Sequence, residues 1–238
     1  MALTEDEQNL AQAAVRWVRK GANKRNILQQ FLDVPASTNP LVFFMAGSPG
    51  AGKTEVSKEL IAELNSQPNG VSYARIDPDE IRDLLPGYNG KNAYIFQRAI
   101  SIIMDDLISE LCKSGKSAIV DGTLAHYENA QKNIQKVIKN NGKAAIFYIY
   151  QDPKLAWQFT QEREAVEGRR IDKDAFIKAL YSSKDNVNSL KAEFGAKLVI
   201  FLVEKDYRKK VKIFKINIEK VDDYVKIPYT PQELEKML

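Results

Sequence analysis

Between Thr4 and Gly21, the apolar residues Leu10, Ala14 and Trp17 recur on one face, which predicts a helix over about 4–20. Thr4 and Glu7 are spaced as a capping box at its start. A shorter helix is expected over about 25–33, and Pro35-Ala-Ser-Thr-Asn-Pro40 then reads as a linker. From Leu41 the pattern changes. Leu41–Ala46 is continuously apolar, as a strand buried on both faces of a parallel sheet would be. A helix over about 52–65 and a strand over 71–77 follow. Phe96, Ile100, Ile103, Leu107 and Leu111 then carry a long helix over about 92–113. Beyond it the pattern gives strand 118–121, helix 126–140, strand 144–150, helices 153–167 and 172–191, and strand 198–203.

Strands alternating with helices imply right-handed crossovers. The expected fold class is therefore α/β: a doubly wound, mainly parallel sheet with helices on both faces. Val211-Lys-Ile-Phe-Lys-Ile-Asn-Ile alternates in part and reads as an added edge strand, antiparallel being one option. Its lysines read as edge protection rather than as a nucleic-acid site. The expected organisation is a helical extension and linker over 1–40, a core over 41–205, and a strand and helix extension over 206–238.

Composition narrows the chemistry. The 238 residues carry 44% hydrophobic and 28% charged side chains, which is globular rather than disordered. A net charge of +4 is a mild attraction for polyanions and does not single out nucleic acid. Cys112 is the single cysteine and His126 the single histidine. An intramolecular disulfide, a multi-cysteine or multi-histidine metal site and a Ser-His-Asp hydrolase are thereby excluded or hard to build. The acidic start, MALTEDEQNL, is unlike a signal peptide, and no run approaches the roughly 20 apolar residues of a membrane span. A cytoplasmic protein without membrane contact is expected.

The strongest motif is Gly47-Ser48-Pro49-Gly50-Ala51-Gly52-Lys53-Thr54, which matches G-x-x-x-x-G-K-[ST] in full. A strand pattern runs into it and a helix pattern out of it, so backbone N–H groups and the helix dipole can face phosphate oxygens. Lys53 is expected to bridge β- and γ-phosphate oxygens and the Thr54 hydroxyl to ligate Mg²⁺, making ATP and Mg²⁺ the expected ligands. Other residues distinguish among the users of such a loop. Ala118-Ile-Val-Asp121 ends in Gly122-Thr123 instead of Asp-Glu, so the water-polarising Glu of a hydrolytic ATPase is missing. Asp121 is a candidate for holding Mg²⁺ through water or for contacting an acceptor. Ser183-Lys184-Asp185 has the wrong spacing for a guanine-reading motif. Both absences favour transfer of phosphate to a bound hydroxyl.

Arg75-Ile-Asp77-Pro-Asp79-Glu80-Ile-Arg82 would bring a carboxylate to a strand's C-terminal end beside the loop, where doubly wound sheets bind ligands. Asp77 is the candidate general base for the acceptor hydroxyl. Asp79 and Arg82 are candidates for shaping the acceptor pocket, although Asp79 could equally be a turn residue or helix cap. Arg163, Arg169 and Arg170 surround Gly168 at a helix end and can neutralise charge on the transferring phosphoryl group.

Taken in order, the phosphate loop, Ile-Asp77-Pro-Asp, Ile-Val-Asp121-Gly-Thr123, Glu-Arg163 and Gly-Arg169 resemble the zeta toxin family of bacterial P-loop kinases, from about Leu41 to Val203. The resemblance implies ATP·Mg²⁺-dependent phosphorylation of the 3′-hydroxyl of the sugar in UDP-N-acetylglucosamine. It also implies restraint by an antitoxin. By it, Asp77 matches the general base, Lys53 the phosphate lysine, and Arg163 and Arg169 the γ-phosphate arginines, with Arg170 the alternative to Arg169. Asp121 and Thr123 fall where an acceptor contact lies, but the family usually has Glu where this chain has Asp121. The stretch between the two arginine motifs is compressed, and related kinases use other acceptors, including NAD. Other readings are a kinase for NAD, a nucleoside or a polynucleotide end, or a nucleotide-binding interaction protein without turnover. Residues 1–40 are read as a structural preface or as an attached inhibitory segment.

Overall fold

A computed structural model describes residues 3–67, 70–168, 170–206 and 210–238. Two helices come first, α1 (Glu5–Arg19) and α2 (Gly21–Phe31). The Thr4–Glu7 capping box forms at the start of α1. After the linker, β1 (Leu41–Ala46) leads through the glycine-rich loop into α3 (Lys53–Ser66). β2 (Tyr73–Ile76) is followed at once by a short helix, α4 (Pro78–Asp83). Then come α5 (Gln97–Lys113), β3 (Ser117–Val120), α6 (Tyr127–Lys139), β4 (Lys143–Tyr150), α7 (Pro153–Glu167) and α8 (Lys173–Phe194). The chain closes with β5 (Leu198–Lys205), β6 (Val211–Ile216) and α9 (Pro231–Met237).

The strands form one six-stranded sheet in the order β2-β3-β1-β4-β5-β6, parallel except for the antiparallel β5–β6 pair. The added edge strand expected from the lysine-spaced alternation is therefore present. Strand alternation divides the core into two faces. Val42, Phe44, Ala46, Ala74, Ile76, Ala118 and Val120 pack on one side with α5 and α6. Phe43, Met45, Tyr73, Ile119, Phe147 and Ile149 pack on the other, against Val56, Leu60 and Ile61 of α3.

The N-terminal helices share the first of these faces. Ala14, Val18, Ile27 and Phe31 join the same cluster as Ile100, Ile103 and Leu107. Among the described residues, no helix is long and apolar enough to cross a membrane.

Candidate functional site

The glycine-rich loop sits where β1 ends, flanked by β3 and β4. Gly47 has φ +131°, and a Cβ there would lie 2.2 Å from the Ile149 carbonyl oxygen, so the loop can press against β4 only with glycine at this position. Its N–H donates to the Thr123 carbonyl at 3.3 Å, which joins the loop to the segment after β3. Ser48 and Ala51 are buried beneath the turn, closed by an Ala51 N–H to Ser48 carbonyl bond of 3.3 Å. Lys53 begins α3 and turns its ammonium back into the loop. It donates to the carbonyls of Gly47 at 3.0 Å and Ser48 at 2.6 Å. Burial pulls the Lys53 ammonium down to about 8; Asp121, Asp79 and Glu55 oppose that fall and Arg163 adds to it. Thr54 follows in the first turn, half-buried.

Asp77 lies just past β2 with 7% of its surface exposed, and Asp121 just past the neighbouring β3 with the same exposure. One guanidinium holds both. Arg75 Nη2 donates to Asp77 Oδ2 at 2.7 Å and also pairs with Asp121, while Nη1 pairs with Glu80. Its Nε donates to the Ser57 hydroxyl at 3.3 Å. Asp77 has a second task, because Oδ1 accepts the Asp79 N–H at 2.8 Å and so caps α4.

Asp121 Oδ2 also accepts the Ser57 hydroxyl at 3.0 Å. Ser57 is bonded as well to the carbonyl of Thr54, at 3.1 Å, which ties Asp121 to the start of α3. Burial pushes the Asp121 carboxyl up to about 6; Arg75 and Ser57 work against the rise and Asp77 adds to it. Among the described residues its buried Oδ1 has no hydrogen-bond partner. A buried hard oxygen of this kind, beside Thr54, fits a hydrated Mg²⁺.

Asp79 and Arg82, expected to act together, are paired across one turn of α4. Arg163, in α7, reaches the same carboxylate, with Nη2 3.4 Å from Asp79 Oδ2. The α7 helix is thereby connected across the front of the loop to the α4 side. Thr123 takes part through its backbone, as described, and its hydroxyl accepts the Ala125 N–H at 3.3 Å. Arg170 is exposed and lies 3.7 Å from Asp172. Arg169 falls outside the described residues.

Two residues of this cluster had no role in the sequence reading. Arg75 stands two places before Asp77 on one strand, so alternation already put both on the same side. Ser57 stands three places after Thr54, on the same helix face. Those spacings were the available signals.

No curated protein matches the sequence. Solved structures match it in fold. A chain from the PezAT chromosomal toxin–antitoxin system of Streptococcus pneumoniae superposes with a TM-score of 0.60 at 16% identity, over 99% of this chain and 88% of that one. A chain of AvrRxo1-ORF1:-ORF2 solved with ATP gives 0.61 at 15% identity, over 96% and 71%. At such identities the likeness is one of architecture alone. Sequence supplies the closer relation: the family model for the zeta toxin matches residues 25–219, and the chain belongs to the zeta toxin family.

Proposed function

We propose that this protein is a zeta-toxin-type kinase that moves the γ-phosphoryl group of ATP to a sugar hydroxyl of UDP-N-acetylglucosamine or a related nucleotide sugar. The observation that carries the reading is the pair of buried carboxylates, Asp77 and Asp121, held by Arg75 at the C-terminal ends of adjacent strands beside the phosphate loop. A hydrolytic site needs a group to activate water. Here the groups in place suit orienting a hydroxyl.

In this reading the loop N–H groups and Lys53 hold the β- and γ-phosphates, and Asp79 and Arg82 shape the acceptor side. Mg²⁺ held by Thr54 and, through water, by Asp121 would neutralise phosphate charge. The acceptor oxygen attacks the γ-phosphorus in line, its proton passes to an oxygen of Asp77, and ADP leaves. Asp77 Oδ2 accepts from Arg75 and Oδ1 from the Asp79 N–H, and each oxygen keeps a lone pair for that proton. Arg163, paired with Asp79 beside the loop, would act on the transferring group, and Arg169 or Arg170 would supply the second positive charge. In this reading the enzyme works in the cytoplasm, and the fold it shares with a chain of a toxin–antitoxin system supports an antitoxin protein as partner.

Purified protein incubated with ATP, Mg²⁺ and a pool of UDP-N-acetylglucosamine, NAD and nucleosides should add one phosphoryl group to the nucleotide sugar, read by mass spectrometry. Asp77→Asn should lower that transfer by about 10²- to 10⁴-fold while still binding ATP. A gain on NAD or a nucleoside would replace the acceptor and keep the mechanism. Full transfer by Asp77→Asn would remove Asp77 from the role of base.

A further inference from the structure

Strand β5 ends on Lys205, a lysine that the mechanism above does not use. Its side chain is buried, with 7% of the residue exposed. Its Nζ lies 2.5 Å from where a Cβ on Gly52 would be, and Cδ and Cε lie at 3.3 Å from that point. Gly52 has φ +86° and is the N-cap of α3, so the ammonium rests against the closing residue of the phosphate loop. Among the described residues it has no hydrogen-bond or ion-pair partner. The preceding residue, Glu204, lies at a shift in the β5–β6 register and gives its carboxylate to Lys212 at 2.7 Å.

Electrostatically this is an unfinished arrangement. A helix N-terminus carries positive potential, Lys53 adds a charge beside it, and Lys205 brings a second one against Gly52. What such a set of groups complements is an anion.

The strand order says which part of the anion. The acceptor-side carboxylates follow β2 and β3, the loop follows β1, and Lys205 ends β5 on the far side of β4. A nucleotide laid across the loop has its transferring phosphate toward β2 and β3 and its remaining phosphates toward β5. At that end Lys205 also lines a cavity of about 580 Å³ with Tyr150, Leu155 and Tyr224 and with the acidic Asp152, Glu204 and Asp206, room for the uncharged nucleoside rather than for its phosphates. We propose that Lys205 is a second phosphate-binding lysine, contacting the α- or β-phosphate that stays with the nucleoside. The inference rests on the kinase reading above, because it needs a nucleotide on the loop.

The test compares full-length wild type, Lys205→Met and Lys205→Arg by calorimetric binding of ATP, ADP and adenosine, together with ligand-free thermal melts. Loss of one charge-assisted phosphate contact should weaken ATP and ADP on the order of 10- to 100-fold in Lys205→Met, with adenosine unchanged. Lys205→Arg should recover most of the loss. The ligand-free melting temperature of Lys205→Met should hold or rise, because no hydrogen bond or ion pair is lost with the ammonium and the apolar stem is replaced by another. A purely structural lysine would instead lower melting temperature and binding together, and that result overturns the proposal. So does a Lys205→Met protein that binds ATP like the wild type, or one that loses adenosine equally. If the wild type binds no ATP, the kinase reading falls and this inference falls with it.

Discussion

Lys53 lies half-buried with its ammonium turned onto the Gly47 and Ser48 carbonyls, and burial brings its ionisation to about 8, inside the range of ordinary assays. Phosphate binds the charged form, so proton and nucleotide bind together. Affinity should be full below about pH 8 and fall as pH rises through that value, rather than near the usual lysine range. Metal-free ATP binding should therefore weaken on the order of tenfold between pH 7.5 and 9. In Lys53→Arg, whose guanidinium stays charged, the profile should be flat whatever its level; a flat wild-type profile would show that the free ammonium ionises elsewhere. The site residues show what a sequence can and cannot say at this scale. The loop could be read because its eight residues are contiguous, and Asp77 because it follows an apolar strand. That Arg75 also grips Asp121 could not be read, because the bond spans 46 positions and depends on β3 lying next to β2. Lys205 was hidden for the same reason, since sequence order does not reveal that β5 ends over the loop.

Long elements were legible because periodicity needs length to declare itself. β1 spans Leu41–Ala46, as its unbroken apolar run implied, and α1, α3, α6, α7 and β4 fall within a few residues of their expected bounds. Short helical segments were not. The expected helix over 92–113 begins as a 3-10 turn, Ala93–Phe96, before α5 takes over. The strand expected to reach Asp77 stops at Ile76, because Asp77 leaves the ladder to cap α4, a six-residue helix too brief to show a hydrophobic face. This double duty of Asp77 makes a prediction about the element. Asparagine can still accept the Asp79 N–H and alanine cannot. Asp77→Ala should therefore unfold about 1 kcal/mol more easily than Asp77→Asn in urea, while both lose phosphoryl transfer. Equal stabilities would mean that α4 is held by Ile81 in the core and not by its cap.

At the scale of the whole molecule, the question is what residues before the linker do. Their contacts favour a structural task over an inhibitory one. Val18 and Ile27 are buried in the cluster that holds α5, and Glu7 accepts a hydrogen bond from the Tyr94 hydroxyl. Leu10 packs where a Cβ on Gly87 would come within 2.9 Å of it, so α1 braces the segment between α4 and α5 on the acceptor side. A detachable inhibitor would leave a finished surface behind it, whereas α1 and α2 both pack on α5 and share its apolar core, which stripping them would open. Ile27→Ala should accordingly cost about 2–5 kcal/mol of unfolding free energy. Removal of residues 1–20 should lower the melting temperature without raising phosphoryl transfer. A truncated protein that stays as stable and turns over faster would instead identify α1 as a brake on the site, and would move the search for a partner from a separate antitoxin to the chain's own first helix.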